Sequence, residues 1–204
     1  VYKRQKVCGM RDGENIRLVE NLSVDLMGFI FYPRSPRYVN SLPEYLPRST
    51  GRVGVFVNEE LRVIEDTIIR YGLTHVQLHG CETPSACEVL RRRGMQVIKA
   101  FSVSVPEDLM VTGRYDGCCD FFLFDTSTSG YGGSGCSFDW GILQHYTGNV
   151  PFFIAGGIGE NDAERVLDFR HPQFAGVDLN SRFEVSPGIK DIEKLDRIIT
   201  KLKR

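Results

Sequence analysis

An alternation constrains this chain more than any other feature. Short, nearly continuous runs of apolar and β-branched residues recur along it, each followed by a segment carrying helix signals. Strands are predicted at 6–8, 26–31, 52–57, 75–79, 96–101, 121–124, 152–155 and 174–178. Runs of this type are the mark of strands buried on both faces of a parallel sheet. Between them, Asn58 reads as the cap of a helix whose Leu61, Ile64 and Ile68 share one face and which Gly72 ends. Thr83 before Pro84 opens the next helix, and Gly94 closes it. Asn161 and Glu164 have the spacing of a capping box. A last helix carries Asp191 and Glu193 early and Lys201, Lys203 and Arg204 late, as the helix dipole favours. Pro43 and Pro47 leave room for only a short second helix of barely one turn.

Eight such units in 204 residues imply an α/β fold, a single-domain (β/α)8 TIM barrel near its lower size limit, with residues 1–5 as an unassigned N-terminal extension. The alternative is an open doubly wound sheet. It wants a glycine fingerprint after its first strand, whereas the glycine-rich turns here follow the sixth and seventh. A net charge of −1 argues against a nucleic-acid partner. No apolar run approaches the roughly 18 residues of a membrane span, and no signal-like segment follows the N-terminus, so no membrane partner and a cytoplasmic location are expected. The six cysteines form no CxxC pair and have no HxxxH companion, so no metal site and reduced thiols are expected.

A barrel of this type places its chemistry on the loops after the C-terminal ends of the strands. Cys8 ends the first strand, where a cysteine is either an apolar filler or a reactive thiol. Asp125 follows four consecutive apolar residues, so its carboxylate must be paired, hydrogen-bonded or raised in pKa, unless it merely braces a loop. Arg37 lies in a loop stiffened by Pro33 and Pro36 and suits a carboxylate, although a surface cation is the plainer reading, more so for Arg34. Gly156 and Gly157 after strand seven, with Asn180 and Ser181 after strand eight, occupy the recurring phosphate position of the fold. The glycine-rich run 130–135 reads as a mobile lid. His79 stands at the rim, yet a lone histidine is more often a satisfied core residue; His75, His145 and His171 read as structural or exposed. The run Arg91-Arg-Arg93 reads as the solvated end of a helix.

Taken together, these residues resemble the phosphoribosylanthranilate isomerases. The motifs are Lys6-Val-Cys-Gly-Met10, the stretch from Gly28 through Tyr32-Pro-Arg-Ser-Pro-Arg-Tyr38 to Val39, Val76-Gln-Leu-His-Gly80, Phe124-Asp-Thr126, Gly130-Tyr-Gly-Gly-Ser-Gly135, Ala155-Gly-Gly-Ile158, Val177-Asp-Leu-Asn-Ser181 and Pro187-Gly-Ile-Lys-Asp191. They run in family order along nearly the whole chain. The resemblance implies an Amadori rearrangement of phosphoribosylanthranilate in tryptophan biosynthesis, with Cys8 as general base and Asp125 as general acid. It further implies Arg37 as the clamp on the anthranilate carboxylate, phosphate held around Gly156, Gly157, Asn180 and Ser181, and Asp178 near the substrate. It calls for no cofactor and for a small-molecule substrate as the only required partner; a monomer and a homodimer both remain open. Those roles lead us to expect a lowered pKa for Cys8 and a raised one for Asp125. Arg182 and Cys136 stand where the family often has a small and a polar residue. Two other classes compete. The aminoaldose isomerases of histidine biosynthesis use paired aspartates, which Cys8 speaks against, and a phosphate-binding protein would need neither Cys8 nor Asp125.

Overall fold

A computed structural model describes residues 3–125 and 139–203. Eight parallel strands close in sequence order into a barrel: β1 (Arg4–Cys8), β2 (Leu26–Ile30), β3 (Gly51–Phe56), β4 (His75–Leu78), β5 (Gln96–Ser102), β6 (Phe121–Asp125), β7 (Phe152–Ala155) and β8 (Phe174–Leu179). The first strand begins at Arg4, so Arg4 and Gln5 are part of the barrel and not of an extension. β1 pairs with β8 as well as with β2, and the closing register sets Lys6 beside Asp178. Among the described residues, no helix is long and apolar enough to cross a membrane.

Because successive side chains point to opposite faces, each strand feeds two separate cores. Cys8, Leu26, Val53, Val55, Ile98, Ala100, Leu123, Phe153 and Ala155 fill the lumen. Val7, Met27, Phe56, Val76, Phe122, Phe152 and Val177 pack outward against the surrounding layer. In that layer Phe124 lies 5.0 Å from Phe152 and 5.3 Å from Tyr146, centroid to centroid. Each such ring removed from water contributes about 1.5–3 kcal/mol.

The connecting helices are α1 (Gly13–Asn21), α2 (Leu61–Tyr71), α3 (Pro84–Arg92), α4 (Ala163–Asp168) and α5 (Ile192–Leu202). Thr83 caps α3 ahead of Pro84 and Gly72 closes α2 in the left-handed region, as the sequence implies; Asp191, expected early in the last helix, is the cap of α5. Two cap assignments are corrected. Asn58 does not cap α2, which begins after Glu60; its own φ is +51° and its Oδ1 accepts the Cys81 N–H at 2.6 Å. Ahead of α4, Asp162 reaches back to accept the Gly159 N–H at 2.7 Å, and Asn161 lies inside a one-turn 3-10 helix. The short second helix is also absent: nothing helical separates β2 from β3. Pro43 and Pro47 each remove a backbone donor. The segment is pinned instead by Glu20 of α1, whose carboxylate accepts the Arg48 and Ser49 N–H groups at 2.6 Å and the Tyr45 hydroxyl. Runs of 3-10 helix, Pro106–Tyr115 and Trp140–His145, take the places of the fifth and sixth helices. After β8 comes one 3-10 turn, Ser181–Phe183, and then a hairpin of β9 (Glu184–Ser186) and β10 (Ile189–Lys190).

Candidate active site

A cavity of about 380 Å³ opens at the C-terminal ends of the strands. Inward-facing parity brings Cys8 from β1, Gln77 from β4, Asp125 from β6, Ala155 from β7 and Asp178 from β8 to its wall, with His79 just past β4. Gly156, Gly157, Asn180 and Ser181 line it too. The sequence's reactive candidates therefore converge on one pocket, except Arg37. The glycine-rich run 130–135, Thr126 and Cys136 lie outside the described residues. A larger cavity, about 950 Å³, lies at the opposite end against Lys3, Phe174 and Lys203. Its lysines are spent on backbone carbonyls, Lys3 on Phe174 and Lys203 on Leu22 and Ser23, so we assign it no chemistry.

Cys8 belongs to the lumen cluster and is 4% exposed. Its thiol fits because Gly28 faces it from β2, where a Cβ would stand 2.6 Å from Sγ. The expected lowering of the Cys8 pKa is not met: burial pushes the thiol above its ordinary range, and Asp178 adds to the rise. The Lys6 and Lys190 ammoniums pull the other way without prevailing. Lys6 is wholly buried, with Nζ 2.9 Å from Asp178 Oδ2. Burial works against its charge, but the Asp178 carboxylate and Cys8 outweigh that and hold its pKa above the usual lysine range.

Asp125 sits at the rim with Oδ2 3.5 Å from His79 Nε2. Gln77 holds the other side of that ring, its Nε2 2.8 Å from His79 Nδ1. With the Gln77 amide donating to Nδ1, the tautomer is fixed with Nε2–H directed at the carboxylate. The structural reading of His79 is thus corrected: it faces the cavity and an acid. His171 is structural, its Nε2 3.0 Å from the Tyr146 carbonyl, and His145 is exposed.

Arg37 does not line the cavity. Its stem lies over Gly9, where a Cβ would meet Arg37 Cδ at 2.7 Å, and its guanidinium forks onto Glu184. Nε donates at 2.8 and 3.0 Å and Nη2 at 2.6 Å. Glu184 also accepts from Lys190 Nζ at 2.7 Å and from the Gly188 N–H at 3.1 Å. Burial pushes the Glu184 carboxyl up, but these donors outweigh it and bring its pKa down to about 2. Lys190 completes the link to the rim by donating to Asn180 Oδ1 at 2.8 Å. Sequence reasoning passed over Lys6, Glu184 and Lys190. The available signal for Lys6 was its position two residues before Cys8, on the same strand face.

Gly156 and Gly157 take φ values of +90° and +66°, in the left-handed region that favours glycine, and both line the cavity. Arg182 is exposed and does not line the cavity. Among the described residues, no three His, Cys, Asp or Glu side chains converge as a metal-ligand set.

Known proteins agree with this architecture in detail. A family model described as N-(5'phosphoribosyl)anthranilate (PRA) isomerase matches residues 5–201. A protein of Phocaeicola vulgatus named N-(5'-phosphoribosyl)anthranilate isomerase is 51% identical over 199 residues, which is 98% of this chain and 97% of that one. The crystal structure of phosphoribosyl anthranilate isomerase from Thermotoga maritima superposes with a TM-score of 0.85 at 34% identity, covering 98% of both chains. A second crystal structure, of such an isomerase in complex with reduced 1-(o-carboxyphenylamino)-1-deoxyribulose 5-phosphate, gives 0.80 at 29% identity and again covers 98% of both.

Proposed function

The chain belongs to the N-(5'-phosphoribosyl)anthranilate isomerase family, and on that premise we propose that Cys8 and Asp125 divide the proton transfers of its reaction. It catalyses the Amadori rearrangement of N-(5-phosphoribosyl)anthranilate to 1-(2-carboxyphenylamino)-1-deoxyribulose 5-phosphate in tryptophan biosynthesis. The observation that carries the residue assignment is that Cys8 and Asp125, from strands β1 and β6, face a single cavity large enough for one sugar phosphate and one aromatic ring. Asp125 delivers a proton to the furanose ring oxygen and opens the ring to an iminium. Cys8 removes the C2 proton, the iminium takes up the electron pair, and the enolamine tautomerises to the ketone. His79 orients the Asp125 carboxyl from its far side.

The remaining assignments follow the same premise. Arg37 clamps the anthranilate carboxylate with the guanidinium edge that Glu184 leaves over, and Asp178 flanks the sugar. Phosphate sits on the backbone of Gly156 and Gly157 with Asn180 and Ser181.

Turnover of freshly made phosphoribosylanthranilate, followed by loss of its fluorescence, tests the pair. Cys8→Ser and Asp125→Asn should each lower kcat by about 10²–10⁴, with affinity for a reduced product analogue largely kept. Near-normal turnover in Cys8→Ser would assign the base elsewhere.

A further inference from the structure

Among the described residues, the lumen buries a cation, Lys6, that the proposed mechanism leaves unused. Lys6 lies two residues before Cys8 on β1, so both side chains enter the lumen from the same strand face. Its side chain is completely buried, and Nζ is 2.9 Å from Asp178 Oδ2, the neighbour that the closing register of the barrel sets beside it. Leu26, Val53, Leu123 and Phe153, which share the lumen cluster with Cys8, are apolar. A buried ion pair in such a layer is costly and adds no more stability than apolar filler of the same volume. Packing therefore does not account for it.

We propose that Lys6 is the positioning cation of the active site, holding positive potential beneath the Cys8 sulfur so that the thiolate forms when the base is needed. Asp178 keeps Lys6 charged and directed. Its second oxygen, Oδ1, is buried with no hydrogen-bond partner among the described residues, at the wall of the cavity that Cys8 also lines. Of the other charged groups around the thiol, Lys190 also favours the ionised form, but it ranks after Lys6. Arg37, from the β2–β3 connection, and Lys190, of β10, already share Glu184 of β9. Asp178 on β8 opposes a thiolate, Asp125 on β6 is committed as the acid, and His79 after β4 is turned toward Asp125. The Lys6 ammonium, in contrast, favours the ionised thiol, and it is the foremost group to do so.

The inference rests on Cys8 being the base, and its test reads the thiol itself, independent of turnover. Iodoacetamide labelling of the Cys8 peptide is followed by mass spectrometry across pH in the wild type, Lys6→Met and Lys6→Arg. The labelling midpoint in Lys6→Met should rise by at least about one pH unit, a tenfold loss of thiolate at any pH well below it, and Lys6→Arg should restore most of the shift. Should Lys6→Met not fold because Asp178 is left uncompensated, Asp178→Asn is compared with Lys6→Met/Asp178→Asn, and the same rise is expected between those two. An unchanged midpoint in either comparison overturns the proposal. Normal turnover of Cys8→Ser together with a shifted midpoint would instead remove the base assignment and leave the electrostatic coupling standing.

Discussion

Arg37 shows how much of the site rests on single residues remote in sequence. Its guanidinium is aimed by Glu184, 147 positions away, through three N–H···O contacts. Glu184→Gln keeps the shape but gives up one charged acceptor, and we expect KM to rise on the order of tenfold, about 1.4 kcal/mol, with kcat nearly unchanged. The effect should vanish in an Arg37→Ala background, since the two residues act through one contact. An equal loss in that background would show that Glu184 matters only to the hairpin it shares with Lys190 and Gly188. The convergence of Cys8 and Asp125 on one cavity was legible in the sequence because each stands at the end of a strand, and in this fold strand ends are where chemistry sits. Lys6 and Glu184 were not. A lysine near the start of a strand looks like an ordinary solvated end, and only barrel closure brings Asp178, 172 positions away, against it.

At the scale of elements, the strands were legible and the joints were not. Continuous apolar runs admit little but a buried strand, whereas Asn58 carries the composition of a cap and serves as a latch. With its φ at +51°, its Oδ1 takes the Cys81 N–H at 2.6 Å, while its own N–H donates to Glu82 Oε1 at 2.8 Å. Glu82 also lies 3.4 Å from the buried Lys99 ammonium. Two loops on the catalytic rim, after β3 and β4, are tied together by these contacts. Asn58→Ala should destabilise the protein by about 1–3 kcal/mol, losing the side-chain bond and straining the left-handed backbone. Asn58→Gly loses the bond alone and should be about 1 kcal/mol less damaging, as read by urea unfolding. Equal losses would mean that the turn rearranges once the latch is gone. The missing second helix teaches the converse lesson: two prolines announced a broken helix, but its replacement depends on Glu20 of α1 and could be seen only in three dimensions.

For the molecule as a whole, closing the barrel commits ionisable groups to environments that they leave on unfolding, and stability must follow pH accordingly. His75, at the start of β4, is driven from 6.5 to about 4 by burial, with the Arg4 cation adding to the effect. The folded state then binds fewer protons than the unfolded chain between those values, so this contribution is complete above pH 6.5 and is lost as pH falls toward 4. Glu20 and Glu184 behave in the same sense at lower pH. Burial raises both, but their hydrogen-bond donors, Tyr45 and Ser49 for one and Arg37 and Lys190 for the other, bring them from 4.5 to about 2. Their contribution is present above pH 4.5 and disappears toward 2. Urea unfolding across pH should therefore show two successive losses, the first from pH 6.5 to 4 and the second from 4.5 to 2. His75→Gln should abolish the first and leave the second, because the charges that act on His75 are Arg4, Asp120 and Lys6, and neither Glu20 nor Glu184 is among them. A wild-type stability that stays flat from pH 6.5 to 4.5 would show that His75 accepts its proton without opening the barrel, and that the closure at this end tolerates a charge.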